Sequence, residues 1–159
     1  MKVRYNRFKM LTKLPLSNEE LCTLISIGYI TGLGALVLNG YSYESIEGGL
    51  TYVTKAEELH DMLTDCARLV YLPNYNFEIG YEEDPHVASS ERMICDFLMY
   101  PEELYDYLYL CDALIGYKDE FNWDFSKVRE MLIRLGGDES SLDEALERYK
   151  NELKYGYDD

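Results

Sequence analysis

The sequence predicts an α+β domain: a small mixed sheet with a hairpin in its first half, packed by helices, and an all-helical C-terminal half. Three observations carry this. Short runs rich in β-branched and aromatic residues, at 49–54, 68–73 and 77–81, are confined to the first half of the chain. After Ser90 the apolar residues recur at helical spacing. The 159 residues are 47% hydrophobic and show no repeat or low-complexity linker, so residues 1–159 make one domain with a single core.

In order, the chain opens with MKVRYNRFKMLTKLPLS, where Val3 and Tyr5 alternate with Arg4 and Asn6, as in a short strand or arm. Residues 1–13 carry Lys2, Arg4, Arg7, Lys9 and Lys13 and no acid, making a basic arm. Ser17 followed three residues later by Glu20 is a capping box, before a helix that turns Leu21, Leu24 and Ile25 inward and ends at Gly28. Thr31 caps a second helix, GLGALVLNG, closed by Gly40. Its Gly32-Leu-Gly34 lacks both the preceding strand and the Lys-Ser/Thr of a phosphate loop, so small residues there serve close packing. A polar turn region over 41–49 leads to the strand at 49–54. KAEELHDMLTDCA then forms an amphipathic helix with Leu59, Met62, Leu63 and Cys66 inward. Residues 68–73 and FEIGY form a hairpin about the turn Asn74-Tyr75-Asn76, and 82–85 is an exposed acidic loop.

The stretch VASSERMICDFLMYP, 87–101, packs a strand, a serine turn and a core helix into a short space. Ser89 or Ser90 caps a helix starting near Glu91, whose carboxylate favours the helix N-terminus. Met93, Ile94, Phe97 and Leu98 form its apolar stripe, Asp96 interrupts the flank, and Pro101 stops it. PEELYDYLYLCDALIG follows as a helix burying Leu104, Leu108, Cys111 and Ile115 and ending at Gly116. The next helix, from Asp124, buries Phe125, Val128, Leu132 and Leu135 and stops at Gly136-Gly137. The last, with Ser141 and Glu144 as a second capping box, buries Leu142, Ala145, Leu146, Tyr149 and Leu153, and 155–159 is an acidic tail.

Composition narrows the function. No apolar run approaches the ~20 residues of a membrane span, and Met1-Lys2 leads into polar sequence, so a cytoplasmic protein is expected. Cys22, Cys66, Cys95 and Cys111 are scattered, as reduced, buried thiols are. Outside the arm, ten basic side chains face thirty acidic ones, a net of −20, which repels phosphate backbones and steers basic partners in. His60 and His86 are the only histidines, and neither a His-Glu-x-x-His nor a Gly-x-Ser-x-Gly motif is present. No catalytic set, metal site or cofactor is expected. Glu91 and Asp96 lie about 140° apart on a helix and do not converge. Arg92 and Asp96, spaced i,i+4, instead form a hydrogen-bonded anchor, so Ser89, Glu91, Arg92 and Asp96 are read as a structural motif.

Sixteen tyrosines interleaved with acids have the composition of a protein-binding surface. On the helix after Pro101, Tyr105, Tyr109 and Asp112 fall at i, i+4 and i+7 with Asp106 beside them, a candidate stripe for binding a basic protein.

Three segments resemble one family. Val87, Ala88, Ser89, Glu91, Arg92 and Asp96 match the Val-Ala-Ser-Pro-Glu-Arg-x-x-x-Asp segment of AbiE-type abortive-infection antitoxins, with Ser90 for the Pro. GYITGLGALVLNGY, 28–41, is similar to an upstream segment of that family, with Asn39 in place of its His and Gly34 in place of a Ser. FNWDFSKVREMLIRLGG resembles a helix further downstream. The resemblance implies the C-terminal domain of an antitoxin in a toxin–antitoxin, phage-defence system. It would counter a nucleotidyltransferase-type toxin, the cognate basic protein. Full-length relatives also regulate their operon through an N-terminal winged helix; the 27 residues before the matched segment are too few for one, so operator binding is not expected. Two rivals keep the charge without the resemblance: an acidic DNA mimic or phage-encoded inhibitor of a nucleic-acid-binding protein, and a divergent nuclease or hydrolase built on Glu78, Glu82, Glu83 and Asp84.

Overall fold

The computed structural model describes residues 28–42, 51–54, 68–71, 81–82, 87–102, 104 and 107–156. A strand, β1 (Gly28–Thr31), runs straight into helix α1 (Gly32–Leu38). Then come β2 (Thr51–Thr54), β3 (Arg68–Tyr71), β4 (Tyr81–Glu82) and β5 (Val87–Ala88). Helices follow: α2 (Ser90–Met99), α3 (Tyr107–Phe121), α4 (Ser126–Arg134), α5 (Glu139–Arg148) and α6 (Lys150–Tyr155). The fold is α+β, with a mixed sheet in the order β3-β2-β1-β5-β4 and a helical second half.

β1 is the middle strand. It pairs antiparallel with β2, Gly28 opposite Thr54 and Thr31 opposite Thr51, and parallel with β5 through Ile30 and Val87. The sequence reading ended one helix at Gly28 and let Thr31 cap another, so it passed over this strand. GYIT is only four residues long and fully buried, so it has no alternation to betray it. Gly32 makes the strand-to-helix turn at φ +59, and a Cβ on it would meet the Thr51 side chain at 3.4 Å. A strand therefore does precede the glycines; a phosphate loop's Lys-Ser/Thr does not follow them.

The hairpin also moves. β3 pairs parallel with β2 at one edge of the sheet, whereas β4 pairs antiparallel with β5 at the other. Among the described residues the hairpin is thus β4–β5, across the 83–86 connection, and not a return from 68–73.

α2 sits at the centre of the core, packed on α1, α3, α4 and β5. From Arg92 through Phe97 every side chain is buried, so the helix has no wet face along this length and its polar residues must find partners inside. Leu98 is only half-buried.

α3 continues through Gly116, where the sequence reading stopped it, to Phe121. The glycine serves a neighbour instead: a Cβ at Gly116 would lie 2.5 Å from Cγ of Tyr41, so its absence lets that ring lie against the helix. The inward face is Cys111, Ala113, Leu114 and Tyr117, with Ile115 half-buried; Leu104 is buried ahead of the helix. α4 buries Val128 and Leu132 as its spacing predicts, with Leu135 half-buried. The last helix begins earlier than expected. Asp138, not Ser141, is the N-cap, its carboxylate accepting from the Ser140 N–H at 3.0 Å, while the Ser141 hydroxyl donates to the Asp138 carbonyl. It also breaks at Tyr149 into α5 and α6, and Tyr155 ends α6 rather than opening the tail.

The expected helices over 17–27 and 55–67, the turn at 74–76, the arm 1–13 and residues 157–159 lie outside the described residues, as do His60, His86, Cys22, Cys66, Glu78, Glu83 and Asp84. Among the described residues no helix is long and apolar enough to cross a membrane.

Candidate functional site

The polar residues singled out on α2 enter the core in a fixed order. Ser89 is the N-cap: its Oγ accepts from the Arg92 N–H at 3.1 Å, which fixes where the helix starts and which way Arg92 leaves it. One turn later Arg92 Nε donates to Asp96 Oδ1 at 3.0 Å, both side chains being 0% exposed. The other carboxylate oxygen accepts from two β1 hydroxyls, Tyr29 OH and Thr31 Oγ1, each at 2.7 Å. The guanidinium carbon of Arg92 lies 5.3 Å from the centroid of the Tyr29 ring, a cation–π contact. Thr31, placed by the sequence at a helix cap, makes no cap hydrogen bond and spends its hydroxyl on Asp96.

Three donors therefore converge on one carboxylate, an arrangement suited to the ionised, acceptor-only form. Burial pushes the Asp96 carboxyl up from its ordinary value, and the hydroxyls of Tyr29 and Thr31 pull it back down. With the Arg92 Nε 3.0 Å from its Oδ1, an ionised Asp96 neutralises an arginine that is itself sealed from water. Chemically the centre is saturated. Nothing dissolved reaches Asp96 unless β1 and α2 separate.

A second, outer layer surrounds the start of α2. Glu91 accepts from Tyr117 OH at 3.1 Å, and Tyr41 OH donates to Glu120. Burial raises the Tyr41 phenol, helped by its bond to Glu120 and by the charges of Glu120 and Glu91, against a hydrogen bond from Ser90. Burial likewise raises Tyr117, followed by the Glu91 charge and hydrogen bond. Both phenols stay protonated and act as donors. Cys95 behaves similarly: burial pushes its thiol up to about 12, and its Sγ donates to the Val128 carbonyl at 3.5 Å. Such a thiol is a packing group rather than a nucleophile. Among the described residues no group of His, Cys, Asp and Glu could hold a metal ion.

The structure thus brings Ser89, Arg92 and Asp96 into one unit and sends Glu91 to Tyr117. The proposed tyrosine–aspartate stripe is only partly in view. Tyr105 and Asp106 lie outside the described residues; Tyr109 and Asp112 are half-buried on α3, Tyr109 against the core, and each has an interaction of its own within the chain. Sequence reasoning missed Tyr29, Thr31 and Tyr117 as partners. Tyr29 lay in a segment already noted for its resemblance, but nothing local said that its hydroxyl faced a carboxylate beyond residue 90. No protein family, curated protein or solved structure matches the chain.

Proposed function

We propose that this chain is an antitoxin-like protein that counters a nucleotidyltransferase-type toxin by binding it, with no chemistry of its own. One observation supports the reading: the three segments that resemble AbiE-type antitoxins all meet at α2. Tyr29 and Thr31 of the first donate to Asp96 of the second across 67 and 65 residues of sequence. Asn39, standing where that family has His, donates to the Ala88 carbonyl at 3.0 Å. Val128 of the third accepts from Cys95 of the second. The residues shared with the family hold sheet to helix, so recognition falls to the surface, and a chain of net charge −15 suits a basic partner.

The test is co-expression with a nucleotidyltransferase encoded beside it. Growth arrested by the transferase should resume when the chain is induced, and the two proteins should co-purify. A folded, abundant chain that leaves the arrest untouched overturns the reading. The same charge also favours an acidic DNA mimic. That rival is separated by competition, because a mimic displaces duplex DNA from unrelated DNA-binding proteins and an antitoxin does not.

A further inference from the structure

The turn from α3 to α4 builds an open groove that the binding stripe read from sequence does not include. Trp123, Phe125, Ile133 and Leu146 form its apolar wall, with Arg129 and Glu130 at its edge. Trp123 and Ile133 are 49% and 54% exposed, two of the three large hydrophobic side chains left in solvent among the described residues. Asn122 and Trp123 both take left-handed backbone, at φ 51 and φ 68, a conformation that L-residues adopt at a cost. The turn is held by the Trp123 N–H on the Lys118 carbonyl at 3.0 Å and the Asp124 N–H on the Phe121 carbonyl at 3.1 Å. Its effect is to present an indole at the groove mouth.

Acids outnumber cations around this wall, and its cations are already engaged: Lys118 Nζ lies 5.3 Å over the Trp123 ring and 2.9 Å from Asp119. Arg129 is gripped by both carboxylate oxygens of Asp143, at 3.2 and 2.7 Å, with Glu139 at 4.0 Å. Two acids thus outweigh Arg129 at the edge. Glu130 and Asp124 are exposed and add further negative charge. A second copy of the chain, itself at −15, would bring acid against acid. A phosphate backbone would be repelled in the same way. What complements an apolar wall in an acidic rim is an apolar side chain flanked by lysines or arginines.

We infer that this groove docks a basic segment of the partner protein, an apolar anchor set between Lys or Arg residues, against Trp123 and Ile133. The inference rests on the reading that the chain works by binding a basic protein, and it assigns the surface.

The experiment is selection from a displayed library of random twelve-residue peptides lacking tryptophan, against the full chain. Recovered peptides are titrated while following the emission of Trp123, the only tryptophan in the sequence. The expected result is a consensus of Lys or Arg around an apolar residue, and a saturable shift of emission to shorter wavelength. Affinity should fall at least tenfold in Ile133→Lys and in Glu130→Lys, both exposed positions that leave the core intact. An acidic consensus, no enrichment, no tryptophan response, or equal affinity in Ile133→Lys overturns the inference. So does a dimer by light scattering that Ile133→Lys dissolves, which would make the groove a self-contact. Peptide binding without rescue of growth removes the toxin reading and keeps the groove. Full rescue by an Ile133→Lys chain that binds no peptide removes the groove and keeps the toxin reading.

Discussion

Arg92 has the largest side chain that is fully buried among the described residues, and Asp96 is its counter-charge. Magnitudes rank what each partner contributes. Removing one member of a buried ion pair costs about 3–5 kcal/mol, because the other charge is left unpaired in a dry site. Removing one hydroxyl that donates to a charged group costs about 1.5–3 kcal/mol. Asp96→Asn should therefore be the more damaging change: it deletes the charge and sets an amide NH₂ among donors. Tyr29→Phe should be milder. Urea unfolding of the two variants checks the order, and a Tyr29→Phe as severe as Asp96→Asn would contradict the ion-pair account. The Arg92–Asp96 spacing was legible in the sequence because i,i+4 is a local geometry. The partners on β1 were not, since no local pattern specifies a contact across more than sixty residues.

At the scale of elements, the helices after residue 107 were legible as helices but not at their ends. Asp138 and Ser141 are both good cap residues, and two competing start signals three residues apart cannot be ranked without the packing of Leu142. Gly116 has the residue type of a helix stop, and only the Tyr41 ring explains why a glycine stands inside the helix. The cap actually used has a consequence in acid. Backbone and side-chain hydrogen bonds from Ser140 hold Asp138 below its ordinary 3.8, the Arg129 side chain does the same for Asp143, and Lys150 lowers Glu147. Each of these carboxyls is lower in the folded chain than in the unfolded one. Their contribution is therefore complete above the unfolded value and is lost as pH falls through the folded one. Asp138→Ala should lower the melting temperature at pH 7, and the gap to the parent should close as pH drops below 3.8. Melting curves followed by circular dichroism at pH 7, 5, 3.5 and 2.5, pH values chosen to bracket that roughly carboxylate range, measure it. A gap that is constant with pH would assign the helix start to another residue.

Across the whole molecule, thirty acids against fifteen basic side chains repel one another over a surface where salt can reach them. The Arg92–Asp96 pair is sealed from that salt. Raising sodium chloride should thus raise the melting temperature of the parent, and the deficit of Asp96→Asn should persist at every salt concentration. A deficit that vanished in high salt would mean that the pair is hydrated after all. The order of the sheet carries one more meaning, for synthesis. A ribosome delivers β1 long before Val87, its parallel neighbour, and before Asp96, which receives two of its hydroxyls. While the first half emerges, the middle strand has its β5-facing edge open, the kind of edge other chains can add to. Translation must continue past α2 before the centre of this protein can close, so the half made first is finished by the half made last.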